Sequence, residues 1–149
     1  MLSIRKIAIT AISFTWCGLI IGISFIESWL KFRAPNVTLS IGLGIGKLVF
    51  GVLNKIEILL LFTIIIISFN IMSQILKINK LLFLIVIIAL VLQTFWILPI
   101  LDFRAKSIIE GLKPIPSFFH LYFILLELIK LVALFTFGLL INKSINKKI

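Results

Sequence analysis

Four long apolar runs, separated by short clusters of basic, proline and glycine residues, dominate this chain. A helix needs about 20 apolar residues to cross a hydrocarbon core of about 30 Å. Runs of that kind lie at about 7–30, 53–76, 81–101 and 117–141. None alternates as a strand would. Ile64 to Ile67 would favour a strand in a short soluble segment, but inside a span the helix wins, because only it satisfies its own backbone groups in lipid. The expected fold class is therefore all-α, a polytopic four-helix transmembrane bundle formed by one integral membrane domain over 1–149.

The connections between spans differ. Lys77-Ile78-Asn79-Lys80 alone turns the chain between spans two and three, which predicts antiparallel neighbours. Asp102 to Pro116 reads as a polar loop ending in Pro114 and Pro116, the latter at a permitted helix start. Between spans one and two, Pro35 and Asn36 break the first helix and Thr38 can cap the next. Gly42, Gly44, Gly46 and Gly51 then alternate with apolar residues. Thr38 to Leu76 is too long for one span, so a short interfacial helix over about Leu39–Phe50, bending into span two, is expected.

Composition agrees with this pattern. The chain is 62% hydrophobic with a mean hydropathy of +1.30, values that exclude a water-soluble domain. Its formal net charge is +10, from 15 Lys and Arg against 5 acids. The basic residues flank apolar runs, so their expected partners are anionic lipids of the bilayer; no nucleic acid is expected, because no basic patch with interleaved aromatics lies outside the spans. Seven cations fall on each side of the membrane once Lys130 is set aside, so charge alone gives no orientation. The compact basic tail favours both termini in the cytoplasm, and a bacterial cytoplasmic membrane is the expected location. The first run exceeds the 7–15 residues of a signal-peptide core and no Ala-x-Ala site follows it, so it reads as a retained span. Trp29, Trp96, Phe118 and Phe119 fit interfacial aromatic belts.

A few polar residues interrupt the spans. A charge at mid-membrane costs about 2.5–3.5 kcal/mol on translocon scales, so such groups should face the bundle interior. Glu127 and Lys130 lie near the middle of span four, three residues apart and within reach of each other. His120 precedes Glu127 by seven residues and shares its face. Span one supplies Glu27 with Lys31 four residues on, span two Asn54 and Glu57 with Ser68 on the same face, and span three Gln93 beside Thr94. Topology places Glu27, Asn54, Glu57, Gln93 and His120 in one half of the membrane, with Glu127 and Lys130 deeper. This is an intramembrane polar seam. It reads either as a vestibule narrowing towards the centre or as an interhelical network that holds the bundle together. Gly18 and Gly22 have the spacing that lets helices approach closely.

Known catalytic motifs are absent: no His-Glu-x-x-His, Gly-x-Ser-x-Gly or phosphate loop occurs, and an enzyme is not expected. Cys17 is the only cysteine, which excludes an intrachain disulfide and a cysteine-rich metal site. With a single histidine, no bis-histidine haem can form within one chain. No cofactor or metal is expected; a mononuclear site would require His120, Glu127 and a glutamate of another span to converge.

The layout resembles a family of small four-helix membrane proteins related to transmembrane protein 205. The residues that carry the resemblance are the Phe-containing end of span one running into Lys31-Phe32-Arg33-Ala34-Pro35, Gly-Lys-Leu-Val-Phe at 46–50, and Phe119-His120-Leu121 continuing to Glu127-Leu128-Ile129-Lys130. Glu127 with Lys130 is more charged than the family pattern. The resemblance implies a four-helix bundle and, for some relatives, transport or efflux. Two functions are therefore carried forward. One is a small transport-associated protein, acting alone or as a homo-oligomer, that passes or binds a cation or small solute along the seam of Glu27, Glu57, His120 and Glu127. The alternative is a non-catalytic accessory or structural subunit whose seam pairs with a membrane protein partner. The first requires a water-accessible cavity, within the bundle or at a symmetric interface, touching Glu57 and Glu127. The second requires those side chains to be paired internally or to lie on one lateral face.

Overall fold

A computed structural model describes residues 2–69, 71, 75–112 and 116–143. Among these the chain is helical with no strand, and four long apolar helices pack as a bundle. They cover Ser3–Arg33, Leu39–Phe69, Lys77–Ile109 and Phe119–Asn142, each long and apolar enough to cross a membrane. The protein is a small multi-pass integral membrane protein.

The first span begins as α1 (Leu2–Leu19), widens into a π-helical stretch over Ile20–Glu27, and closes with α2 (Ser28–Leu30) and a 3₁₀ turn over Lys31–Arg33. Asn36 then takes a left-handed conformation (φ 64°), which asparagine tolerates better than most side chains. Thr38 caps the next helix as expected: its Oγ1 accepts the Ile41 N–H at 3.3 Å.

That helix, α3, runs unbroken over Leu39–Phe69. Leu39–Phe50 is helical as the sequence implied, but it is the first three turns of span two and not a separate interfacial element. The glycines do not break it, because two of them are contact points. A Cβ on Gly42 would overlap the Phe32 ring, and one on Gly46 would lie 3.0 Å from Lys31 Nζ. At about 1.5 Å per residue α3 is about 46 Å long, longer than the hydrocarbon core is thick.

The third span also extends further than the sequence suggested. It comprises α4 (Lys77–Leu92), a π-helical segment over Gln93–Ile97 and α5 (Leu98–Ile109). Lys77–Lys80, expected as the turn, is its first helical turn. Asp102–Ile109, expected as loop, forms its last two turns. The π segment lies just before Pro99, whose missing N–H cannot bond back into the preceding turn. Gly111 (φ 84°) then ends the helix in the left-handed conformation that glycine favours there. α6 (Phe119–Lys143) forms the fourth span, close to its expected bounds. The stretch expected to close span two at 72–74, Pro114 and the basic residues beyond Lys143 lie outside the described residues.

α6 occupies the centre, packed against α1 on one flank and α4 on the other, while α3 packs on α1 and, at its early turns, on α5. The inward stripe of α6 follows a spacing of three and four residues: Phe123, Glu127, Lys130, Leu134, Phe137 and Ile141 are all buried. Its outward positions, such as Leu125, Val132 and Phe135, stay exposed for lipid. Trp29, Trp96 and Phe118 are also exposed, as an aromatic belt requires. Lys6, expected as an interfacial anchor, is instead buried.

The close helix contact is not where the sequence placed it. No heavy atom outside the helix's own backbone lies within 4 Å of a Cβ built on Gly18 or Gly22. The first span turns Ile9, Ser13, Trp16 and Ile20 inward, which leaves Gly18 exposed and Gly22 half-buried. The close approach occurs at Gly138 of α6, where a Cβ would lie 3.4 Å from both the Phe14 ring and Ser13 Cβ. Gly138→Leu should therefore wedge α1 from α6 and destabilise the bundle by about 1–3 kcal/mol. Unfolding in mixed micelles measures this, and a midpoint equal to wild type would refute the contact.

Candidate functional site

Every span contributes to a polar network in the bundle interior, the fourth with two side chains. Glu57 comes from α3, Glu127 and Lys130 from α6, Trp16 from α1 and Gln93 from the start of the π segment. All five are 2% exposed or less, so any charge here is withheld from lipid and water alike. Lys130 Nζ bridges the two carboxylates, 2.5 Å from Glu57 Oε1 and 3.0 Å from Glu127 Oε1. Trp16 Nε1–H donates to Glu57 Oε1 at 2.8 Å. Gln93 Nε2 donates to Glu127 Oε1 at 2.7 Å and to the Phe123 carbonyl at 3.5 Å. Glu127 Oε2 and Gln93 Oε1 are buried and have no hydrogen-bond partner among the described residues.

The other expected seam residues are not in this network. Asn54 donates to Thr94 Oγ1 at 2.8 Å, a local clasp between spans two and three. Glu27 pairs with Lys31 at 3.1 Å, the i,i+4 contact the spacing implied. His120 is exposed and does not join Glu127, so the three-residue metal geometry does not form. Seven residues bring two positions to one helix face but also move them two turns, about 10 Å, along the axis. Ser68 is buried but bonds within its own helix, to the Ile65 carbonyl.

His120 instead lines a cavity of about 260 Å³ at the end of the bundle, where the close of span one, the beginning of α3, α5 and the start of α6 meet. Its walls are largely apolar, with Phe50 and Phe123 in edge-to-face contact 5.2 Å apart. Lys31, Lys47 and Arg104 also line it, against a single carboxylate, Asp102. Lys31 is committed to Glu27 and sits 5.2 Å over the Phe50 ring. Lys47 faces Asp102 electrostatically. Arg104 has no ion-pair partner among the described residues. The cavity does not touch Glu57, Glu127 or Lys130. Phe123 lies one helical turn, about 6 Å along the axis, before Glu127, and Phe50 two turns before Glu57, so the Phe50–Phe123 pair separates the cavity from the network.

Sequence reasoning missed Trp16. A tryptophan in mid-span, far from either interface, was the available signal: its indole N–H needs an acceptor, and lipid offers none. Arg104 reaches the cavity because Asp102–Ile109 is helical and not the loop the sequence implies.

No protein-family model, curated protein or solved structure matches this chain.

Proposed function

We propose that this is a non-catalytic membrane protein that binds a small anionic solute or lipid headgroup in its vestibule, the cavity lined by His120 and Arg104; passage of a cation along the seam lacks the cavity at Glu57 and Glu127 that it requires. The observation that carries the reading is the cavity itself, where three cations and His120 face one carboxylate above apolar walls. An anionic group would satisfy Arg104, and an attached acyl chain would lie along the aromatic and aliphatic walls. At about 260 Å³ the cavity is just below the range of about 300–1,000 Å³ that encloses a whole drug-sized ligand. It suits a headgroup whose chain leaves through the mouth.

Thermal unfolding of the purified protein in detergent tests this with three probes: a short-chain phosphatidylglycerol, the corresponding phosphatidylcholine, and inorganic phosphate. The phosphatidylglycerol should raise the midpoint and the phosphatidylcholine should not. Inorganic phosphate matching the phosphatidylglycerol would identify a soluble anion as the ligand. Arg104→Gln should weaken binding about tenfold or more, the loss of one charge-assisted hydrogen bond. Equal stabilisation by phosphatidylcholine, or no effect of Arg104→Gln, would sink the reading.

A second reading, an accessory subunit, is favoured by a different observation. Glu57 and Glu127 are paired internally, and no cavity reaches them. That reading expects no ligand effect from any of the three probes.

A further inference from the structure

The interior network is unbalanced. Glu57 and Glu127 face one ammonium, Lys130, which leaves one negative charge in excess. Among the described residues no other cationic side chain pairs with either carboxylate. The excess is also local: the orphaned oxygens, Glu127 Oε2 and Gln93 Oε1, belong to side chains already joined by a 2.7 Å hydrogen bond. Hydrogen bonding is therefore incomplete at the place where a positive charge is wanted. An uncompensated charge in a lipid-surrounded interior is costly enough that such sites neutralise themselves or take up a counter-ion.

We infer that the network is a binding site for one monovalent hard cation, a proton or an alkali ion, seated on Glu127 Oε2 and Gln93 Oε1 beneath the Phe50–Phe123 pair. The stoichiometry follows from charge. One monovalent ion makes the site neutral, whereas a divalent ion would leave it positive beside the Lys130 ammonium. The ligand class follows from the donors. A carboxylate and an amide oxygen suit protons and hard ions, and among the described residues no group of three His, Cys, Asp or Glu forms a transition-metal site. The charged groups in direct contact with Glu127 or its partners are Glu57 from α3 and Lys130 from α6; α1 contributes Trp16 and the π segment Gln93, both neutral. A buried water could satisfy both oxygens but would leave the charge in place.

This site is distinct from the vestibule, and its test uses the full chain in detergent. Thermal midpoints are read across pH 5 to 9 in choline chloride, then with sodium chloride replacing choline at constant ionic strength, and with magnesium chloride as the divalent control. A ligand held only by the folded state raises the midpoint as its concentration rises. The wild-type midpoint should rise with proton concentration, or with sodium most strongly at high pH, and the two arms tell the ions apart. Glu127→Gln removes the excess charge and should lose that increment while remaining folded. Glu57→Gln, which also leaves one carboxylate to one ammonium, should lose it too. Arg104→Gln should keep it, so a failed vestibule reading leaves this result unaffected. For the proton arm, an infrared carbonyl band of a buried carboxylic acid should appear in wild type and vanish in Glu127→Gln. A wild-type midpoint indifferent to both ions, a dependence retained by both glutamate variants, or stronger stabilisation by magnesium than by sodium would overturn the assignment.

Discussion

Lys130→Met should destabilise the folded bundle by about 3–5 kcal/mol, the range for removing one partner of a buried ion pair. Methionine keeps the length and apolar stem of lysine, so packing changes little. What is lost is the only ammonium between Glu57 and Glu127, held at 2.5 and 3.0 Å. Two carboxylates would then share a dry interior. Lys130 is fully buried, so water cannot replace it without opening the helices. The loss should be read as unfolding free energy in mixed micelles. Adding Glu57→Gln and Glu127→Gln to the same chain should restore most of it, because a charge-free core of similar shape is often as stable as an ion-paired one. If Lys130→Met falls within about 1 kcal/mol of wild type, Lys130 is not the counter-ion of this bundle. If the triple variant is no better than the single one, the damage lies in packing and not in charge.

The same residues show what the chain discloses by itself. The interior position of Glu127, Lys130 and Glu57 was legible because lipid reverses the usual argument: a charge on a span must turn inward, and helical spacing then fixes which neighbours turn with it. The Glu27–Lys31 contact and the Thr38 cap were legible for a simpler reason, since both are local. Helix ends were not. Asp102–Ile109 is polar enough to resemble loop, yet it continues α5, which packs on α3. Gly42 and Gly46 of α3 are places where Phe32 and Lys31 come close, which their spacing alone did not disclose. Nothing in the spacing of His120 and Glu127 said that an aromatic pair would lie between their surroundings. Which polar groups meet across helices is a tertiary matter, and the sequence offered only candidates for it.

Sealing also orders the two sites. The vestibule is open, cationic and wide enough for a headgroup, while the network is closed and carries excess negative charge. An aqueous path for ions through one chain would have to displace the Phe50–Phe123 pair, and below the network it would meet the packed Ile64, Leu134 and Phe137.

The second large effect concerns Trp16. Trp16→Ala should cost about 3–5 kcal/mol, the range for deleting a large buried aromatic. In lipid this is chiefly a packing loss, because no aqueous driving force holds apolar side chains between helices. Trp16 is fully buried, and its indole is wedged between α1 and the α3 carboxylate it serves. Trp16→Phe separates the two contributions. It keeps most of the ring volume and deletes only the Nε1–H donor, leaving Glu57 Oε1 to Lys130 alone. Its expected cost is about 1.5–3 kcal/mol, the worth of a hydrogen bond to a charged acceptor. In a Glu57→Leu background the donor has lost its acceptor, so the same Trp16→Phe change should cost less. That difference is the coupling energy of the pair. Equal costs in the two backgrounds would show that Trp16 fills space without serving Glu57, and the interior network would then be held by α3, α6 and the π segment, with no part played by α1.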